Sequence, residues 1–559
     1  MKSILVIAFI TTLLVIPTSS NVFTASLSEH RMDERSELYF VSNERTLYVG
    51  GTGPDNYTKI QDAIDVANDG DTVFVYDDSS PYYENIVINK SINLVGENKE
   101  TTVILGKGGE DVISIFTNDL TIKNFTITGS YMPRAGIYVF NTNRNKISDC
   151  ILKDNGVSIF FIDSSNNNIS YCSISNSSDG IRFTSSSNNQ IYGCEIYENY
   201  EGVYVDGGYE EYSCGNIIKN CNIFSNGECG VKLIYSSNAK VLHSTFSSNS
   251  HGLQIFDSYN ISVSNCDFTR DGIHIKGENL QQYLHEIENN SVNGKSLLYF
   301  VNENNIDLDS VEIGQIIMVN CSNFKISDIT IGNTDVGIEM VYGVKNEIEN
   351  CKIYGNDDCG ILIKNSSCNE ISSCEIKSKY GYGLRLVKSS KNIVSRNHFI
   401  KNNGCVIQLI FSDDNEITKN LIDGKYNPQI GIRIDESKRN FIAYNNITGC
   451  WDIGLVIASR LSIDKNTIYK NNFYRNGIHA IWLADTFANK IMQNNFIEHP
   501  VQASYENAWN IWLNNYWDNW KTPFPKPIYG YIESFRGIPI FPLINFDWMP
   551  SLNPIEVEK

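Results

Sequence analysis

The 559-residue sequence contains no Cys-x-x-Cys pair, only seven methionines and eight histidines, and fewer basic than acidic side chains. The missing Cys-x-x-Cys spacing leaves no obvious zinc site, and fourteen cysteines in so long a chain do not fit a small disulfide-bonded domain. With 45 Lys and Arg against 64 Asp and Glu, the net charge is −19. Because a net anion repels phosphate groups, the composition excludes nucleic acid as a partner and disfavours an anionic membrane surface.

Apolar runs long enough to span a membrane, about 18 residues or more, are also lacking. The uncharged run from Ile4 to Ile16 follows Lys2 and precedes Pro17 and small residues, which is typical of a secretory signal peptide over residues 1–25. We therefore expect a secreted, extracellular or cell-surface protein with no transmembrane anchor after signal removal. Ten Asn-x-Ser/Thr sites are compatible with a glycoprotein.

From about residue 120 the chain repeats a phrase of alternating apolar residues followed by Asn, Gly and Ser, as in KISDCILKDN, EIENCKIYGN and EITKNLIDGK. The phrases recur at intervals of 22 to 27 residues, apart from one step of 39 residues. Period-two alternation in short segments predicts β-strands, and a period near 22 predicts a solenoid in which each coil covers the next. We predict an all-β parallel β-helix of about sixteen coils over residues 120–505, with an insertion at about residues 293–316.

One position of the repeat carries small or polar side chains in most coils. It is occupied by Phe125, Cys150, Cys172, Cys194, Cys221, Ser244, Cys266, Asn290, Ile329, Cys351, Cys374, Asn397, Asn420, Asn445, Asn471 and Asn494. Stacked thiols that give way to stacked amides indicate an inward-facing ladder, because amides hydrogen-bond along such a stack. Parallel Cβ vectors suit a disulfide poorly, so we predict free buried thiols.

The open ends of a β-helix need covers, since an uncovered strand edge recruits other chains. Residues 26–119 are predicted to form an N-terminal cap and entry strands, and the spacing of Ile60, Ala63 and Ile64 predicts a capping helix there. Tryptophan and proline become dense near the other end, which predicts a C-terminal cap over residues 506–559. An aromatic platform for glycans is the alternative for that segment.

Residues 47–96 resemble the opening segment of pectin-esterase and pectate-lyase-like β-helices. The repeats, with NGKSLLYF, GQIIMVNCSN and NNYWDNW, resemble NosD-like right-handed parallel β-helix repeat proteins, also described as carbohydrate-binding and sugar-hydrolase type domains of the pectin-lyase-like fold. The resemblance implies the fold but no single function, because this architecture serves many activities. Copper, which the NosD name suggests, is disfavoured because the histidines are scattered.

An inverting glycoside hydrolase requires two carboxyl groups about 6.5 to 9.5 Å apart, which adjacent coils can supply. Asp335, followed one coil later by Asp357 and Asp358, looks like the paired acidic motifs of polygalacturonases. The histidine of that family's next motif is replaced by Tyr382, and its Arg-Ile-Lys signature is absent. These three aspartates are the candidate catalytic residues, with a turn-forming role as the alternative. No metal ligands are predicted, and a calcium requirement stays open.

A column of outward residues is expected in the strand that follows each Gly turn, between two inward apolar residues. It reads Tyr138, Ser158, Arg182, Tyr204, Lys232, Gln254, His274, Glu339, Leu362, Arg385, Gln408, Arg433, Val456 and Trp482. We expect its aromatic, basic and amide members to bind substrate, since sugars are recognised by ring stacking and planar hydrogen-bonding groups. Those candidates are Tyr138, Arg182, Tyr204, Lys232, Gln254, His274, Arg385, Gln408, Arg433 and Trp482. An ordinary solvated β-face is the alternative.

Together these patterns predict an exported protein that binds a polysaccharide or another cell-envelope component along one outward strand face. The locally basic stripe on an acidic body would admit an anionic polysaccharide. A polysaccharide-active enzyme, either a uronate hydrolase or a lyase, is the first alternative. A structural envelope protein or a NosD-like metal-processing protein is the second.

Overall fold

The computed structural model describes residues 45–208, 212–379, 381–424, 428–533 and 539–557. The predicted signal peptide, residues 1–25, lies outside the described residues. Short strands dominate, and helix in the described part of the chain is limited to the α-helix Ile60–Val66 and the 3-10 helix Leu280–Tyr283. Strands of successive coils pair in parallel, which confirms the predicted all-β parallel β-helix.

The first stack of coils is built from three sheets, named S1, S2 and S3. S1 contains Thr46–Val49, Thr72–Val75, Asn93–Gly96, Thr121–Lys123, Lys146–Ser148, Asn168–Ser170, Gln190–Tyr192, Ile217–Lys219, Lys240–Leu242, Ser262–Ser264 and Glu286–Glu288. S2 contains Tyr82–Tyr83, Val103–Leu105, Thr126–Thr128, Ile151–Lys153, Ser173–Ser175, Glu195–Tyr197, Asn222–Phe224, Thr245–Ser247, Asp267–Thr269 and Ser291–Val292. S3 contains Ile86–Ile88, Ile113–Ile115, Ala135–Phe140, Val157–Ile162, Asp179–Thr184, Glu201–Asp206, Cys229–Ile234, Leu253–Phe256 and Ile273–Lys276. A short pair, Ser213–Cys214 and Ser236–Ser237, lies beside them.

The second stack has its own three sheets, S4, S5 and S6. S4 contains Asp307–Asp309, Lys325–Ser327, Glu347–Glu349, Glu370–Ser372, Ile393–Ser395, Glu416–Thr418, Phe441–Ala443, Thr467–Tyr469, the second half of His479–Met492, Trp509–Leu513 and Pro539–Asp547. S5 contains Thr330–Gly332, Lys352–Asn356, Glu375–Ser378, His398–Ile400, Leu421–Asp423, Asn446–Thr448, Asn472–Tyr474, Asn495–Ile497 and Tyr516–Trp517. S6 contains Lys295–Val301, Ile313–Val319, Val336–Val341, Cys359–Lys364, Tyr382–Val387, Cys405–Ile410, Ile430–Asp435, Ile453–Ile463, the first half of His479–Met492, Val501–Glu506 and Lys526–Glu533.

The coils number about 21 rather than the predicted sixteen. The additional coils lie at the two ends and in the stretch predicted as an insertion, where the repeated phrase is not recognisable. The predicted helix is present as Ile60–Val66 and packs against the first strands. At the other end, Trp512 and Trp517 are core residues, and the last two strands form an antiparallel hairpin.

The predicted inward ladder is confirmed, since its residues from Phe125 to Asn494 are all buried. In the second stack its amides form a continuous chain: the side chain of Asn420 donates to Asn445 Oδ1 at 3.0 Å, and Asn445 donates to Asn471 Oδ1 at 2.9 Å. The backbone N–H of Asn420 also donates to Asn445 Oδ1. All fourteen cysteines are unbridged, and burial raises the pKa of Cys266 to about 12.

The two stacks meet in the stretch that the sequence presents as an insertion. Lys295–Val301 runs antiparallel to the last strand of S2 and begins S6, so this stretch is the first coil of a second stack. S1 and S3 end here, and S4 and S5 begin anew. The hydrophobic core is correspondingly divided into two large clusters, one for each stack.

Side chains of the second stack take the place of a missing strand at the open edge of S3. The Gln315 amide accepts from the Ile273 N–H at 3.0 Å and donates to the Ile273 carbonyl at 2.6 Å. Glu339 accepts from the Ile275 N–H at 3.2 Å. One coil before that edge, Asp335 accepts from the Gly252 N–H at 3.1 Å. These contacts satisfy backbone groups that would otherwise be buried without partners.

The stability that the junction contributes to the fold should decrease as the pH rises. Burial raises the pKa of Asp271 from 3.8 to about 7, and that of Glu339 from 4.5 to about 8. A carboxyl group whose pKa is raised by folding stabilises fully below its unfolded pKa, and that stabilisation is lost as the pH rises through the folded pKa. We expect the midpoint of urea unfolding to fall between about pH 5 and about pH 8.5, and Asp271→Asn or Glu339→Gln to flatten that fall. The exposed Asp55→Asn should keep the wild-type slope, and identical slopes for all variants would contradict the assignment.

The asparagine ladder should be costly to interrupt. Asn445→Ala removes the acceptor of the buried Asn420 N–H and the donor to Asn471. An unpartnered buried polar group costs about 1 to 3 kcal/mol, so the free energy of unfolding should decrease by that amount in urea titrations followed by circular dichroism. Asn222→Ala, which changes an exposed asparagine outside the ladder, should have little effect.

Candidate binding cleft at the junction of the two stacks

Strand alternation places a continuous row of outward side chains on S3, here called row 1. Its members pair in register as Tyr138, Phe160, Arg182, Tyr204, Lys232, Gln254 and His274. The predicted member Ser158 is wrong, because it is fully buried and occupies the Gly position of its coil; Phe160 is the outward residue. The other predicted members of this half of the column are confirmed in their positions.

A second outward row, row 2, follows S6. It runs in register through Glu339, Leu362, Arg385, Gln408, Arg433, Val456 and Trp482. The predicted column is therefore two rows on two separate sheets. Gln408, Arg433 and Trp482 lie farther along S6 than the junction. Glu339, Leu362, Gln408 and Val456 of row 2 are buried, as are Gln254 and His274 at the end of row 1.

The ends of the two rows form opposite walls of one cleft of about 270 Å³. Gln254 and His274 of row 1 face Leu362 and Arg385 of row 2 across this space. The rest of its lining is His251, Phe256, Ile275, Lys276, Tyr283, Asp358, Lys364 and Val387. Sequence analysis missed Phe256, Lys276 and Lys364, although each follows a predicted outward residue by two positions and therefore shares its face.

Most charges along row 1 are neutralised by neighbouring carboxylates. Arg182 Nη1 lies 3.2 Å from Asp179 Oδ2, and Lys232 Nζ lies 2.9 Å from Glu201 Oε1. The Arg182 guanidinium also stacks on the Tyr204 ring, 4.8 Å from its centroid. The row therefore offers rings and hydrogen-bonding groups rather than the excess positive charge that its sequence predicts.

The cleft retains positive charge. Lys276, Lys364 and Arg385 line it, and among the described residues none of them has a carboxylate within 4.0 Å. Asp358 also lines the cleft, and its Oδ2 lies 3.6 Å from His274 Nδ1. Burial lowers the pKa of His274 to about 4, so this imidazole is neutral at neutral pH.

Several polar atoms of the lining have no hydrogen-bond partner. Gln254 is 5% exposed and its Oε1 accepts no hydrogen bond, and Arg385 Nε and His251 Nδ1 are likewise unpartnered. Buried polar groups are normally satisfied, so unpartnered ones at a cleft indicate a place for a ligand or for water. The set contains an acceptor, Gln254, and a cationic donor, Arg385.

The three predicted catalytic aspartates are neighbours, but only Asp358 lines the cleft. Asp335 is fully buried behind the wall, where it accepts the Gly252 N–H and lies 3.8 Å from His251 Nδ1. Asp357 forms an ion pair with Lys379 at 3.2 Å, and burial raises the pKa of Asp357. A pair of carboxylates facing each other across the cleft is therefore not formed by these three residues.

The described parts of the chain lack two further features. No group of three or more His, Cys, Asp or Glu there has the arrangement of a metal site. Within the same residues, no helix has the length and apolar character needed to cross a membrane.

Two family models match separate parts of the chain. Residues 111–268, within the first stack, match the model described as "Right handed beta helix region". Residues 288–481, which begin at the junction and cover much of the second stack, match "Periplasmic copper-binding protein (NosD)". No curated protein sequence matches the chain.

Several solved structures are similar at low identity. Pectin methylesterase PemA from Erwinia chrysanthemi is 12% identical over 45% of this chain and 90% of that chain, with a TM-score of 0.32. The catalytic unit of a GH87 α-1,3-glucanase from Streptomyces thermodiastaticus is 13% identical over 62% of this chain and 61% of its own, with a TM-score of 0.31. Pectate lyase Pel9A is 14% identical over 64% and 79% of the two chains, with a TM-score of 0.29. Likenesses of this size carry no argument about activity. From its stacked parallel coils the chain is a parallel β-helix protein, in which residues 111–268 are similar to right-handed β-helix regions and residues 288–481 are similar to the NosD family.

Proposed function

We propose that this protein binds an acidic carbohydrate in the junction cleft and along row 1. The observation that carries the proposal is the unpaired positive charge of Lys276, Lys364 and Arg385 at the end of an aromatic row. The cleft provides positive charge, and row 1 extends the binding surface along the sugar chain.

Row 1 suits an extended sugar chain. Its side chains recur once per coil, at the spacing of about 4.8 Å that separates neighbouring strands. Tyr138 and Tyr204 present rings for stacking, and Arg182 and Lys232 present hydrogen-bond donors whose charge is already balanced. Such a surface binds hydroxyl groups and ring faces without requiring a charged ligand.

The cleft suits a carboxylated sugar residue such as a uronic acid. The planar Arg385 guanidinium matches a carboxylate, and Gln254 Oε1 needs a donor such as a sugar hydroxyl. Both requirements are met by one ligand that carries hydroxyl and carboxylate groups together. The long-range repulsion expected from a net charge of −19 is reduced here by the three local cations.

Export and copper are separate questions. The apolar run from Ile4 to Ile16 and the periplasmic description of the NosD model support a location outside the cytoplasm. Copper is named in that description, but the described residues do not contain a fitting ligand cluster.

Binding should depend on Arg385 more than on any single residue of row 1. Losing a hydrogen bond to a charged group costs about 1.5 to 3 kcal/mol, so Arg385→Ala should weaken binding of a uronic acid oligosaccharide by about 10- to 100-fold. Tyr204→Ala should weaken it several-fold for longer oligosaccharides only. A glycan array followed by calorimetry measures both effects.

Arg144→Ala, at an exposed ion pair with Asp119 on another face, is the matched control. Absence of binding to every acidic glycan, or unchanged affinity in Arg385→Ala, would refute the proposal.

Hydrolysis of the bound polymer is the second candidate function, because Asp358 lines the cleft beside His274. Asp358 would then be needed for turnover but not for binding. Asp358→Asn should abolish release of reducing ends from a uronate polymer while retaining affinity. Equal release by the wild type and Asp358→Asn would exclude this activity at the cleft.

A further inference from the structure

Sheet S5 carries an outward row of its own near the C-terminal end of the chain. Leu421, Asn446, Asn472 and Asn495 follow one another in register, with Tyr516 on the next strand. Asn472 Nδ2 donates to Asn446 Oδ1 at 2.9 Å. This asparagine row is separate from the buried ladder and lies on a different sheet from the walls of the cleft.

The C-terminal segment of the chain already uses this row. Ser551 forms a parallel bridge with Tyr516, so the segment joins the sheet there. Farther on, Asn495 Nδ2 donates to the Ile555 carbonyl at 2.9 Å, and the Ile555 N–H donates to Asn495 Oδ1 at 2.8 Å. One side-chain amide thus pairs with both backbone groups of one residue, as a neighbouring strand would.

A cavity of about 600 Å³ lies next to this contact. Pro554, Ile555 and Val557 line one part of it, and the remaining lining consists of Lys419, Asn420, Leu421, Tyr444, Asn446, Asn472, Asn495 and Ile497. The cavity therefore continues past the docked residue, along strands that carry two further asparagines of the row. Asn495 is 4% exposed beneath the segment, whereas Asn446 and Asn472 are half-buried.

We propose that the asparagine row is a binding site for an extended polypeptide, and that the chain's own C-terminal segment occupies one end of it. The partner has the chemistry of residues 553–557, Asn-Pro-Ile-Glu-Val, in which apolar residues flank one acidic residue, Glu556. Its backbone pairs with the amides of Asn446 and Asn472 and, once the attached segment is released, with that of Asn495. Its apolar side chains contact Leu421 and Tyr444.

A polypeptide is favoured over a sugar because the row already pairs with a backbone, at Asn495 and Ile555. A carboxamide has one acceptor and two donors in a plane, which matches the N–H and C=O of a peptide. Extended peptides that add to a sheet gain affinity from main-chain hydrogen bonds and specificity from alternate side chains. The pairing of Asn495 with Ile555 is an example of this recognition within the same molecule.

The test uses the full-length protein and a fluorescent synthetic peptide of residues 550–559. In the wild type the attached segment competes at an effective concentration on the order of millimolar, so the free peptide should bind weakly. Ile555→Pro removes the N–H that pairs with Asn495 and should release the segment. Fluorescence anisotropy should then show binding at least ~10-fold tighter than to the wild type.

Further variants test whether the asparagine row itself holds the peptide. In the Ile555→Pro chain, Asn446→Ala with Asn472→Ala should weaken peptide binding about 10-fold or more, and Asn222→Ala should leave it unchanged. Asn495→Ala in the otherwise unchanged chain also releases the segment, but it removes the amide that would pair with the free peptide. Peptide binding by this variant should therefore not increase as it does in Ile555→Pro. Equal peptide binding by wild type and Ile555→Pro, or no effect of the Asn446 and Asn472 substitutions, would overturn the proposal. Binding of oligosaccharides but not of the peptide would overturn it as well.

Discussion

The stacked hydrogen bonds inside the coils are the interaction on which the rest of the structure depends. Every coil turns between sheets, and each turn buries backbone N–H and C=O groups that the strands cannot pair. Buried asparagines such as Asn420 and Asn445 satisfy these groups and one another along the stack. A coil is therefore stable only against a neighbour of the same geometry. The fold is repetitive for this reason, and an uncovered end costs free energy.

The junction shows how such an end is completed without another coil. The amide of Gln315 and the carboxyl group of Glu339 bond to the free edge of S3 as a strand would. In the last coil of the first stack, the buried Asp271 Oδ2 accepts a hydrogen bond from Asn249 Nδ2 of the preceding coil at 2.6 Å. Because the second stack contacts this edge through outward side chains, rows 1 and 2 are brought face to face. The cleft is a consequence of how the first stack ends.

Sequence reasoning succeeded where the physics is local and periodic. The buried positions of Cys150 and Asn420 and the outward positions of Tyr204 and Arg385 follow from a period of two within strands and near 22 between coils. It failed where the phrase degenerates: it predicts sixteen coils instead of about 21, and it predicts a simple insertion after Asn290. Ser158 was misplaced because it replaces a glycine at the start of its strand.

The repeated strands, the inward ladder and the residue types of the outward rows follow from the amino-acid order, since these depend on short-range alternation. That His274 and Arg385, which are far apart in sequence, line one cleft is a property of the folded chain. The tertiary structure also decided that Arg182 and Lys232 are neutralised while Arg385 is not, and that Asp335 faces a backbone N–H instead of the cleft. The physical reason is that alternation specifies which face a side chain occupies, whereas the partner of that face depends on where one stack stops and the next begins.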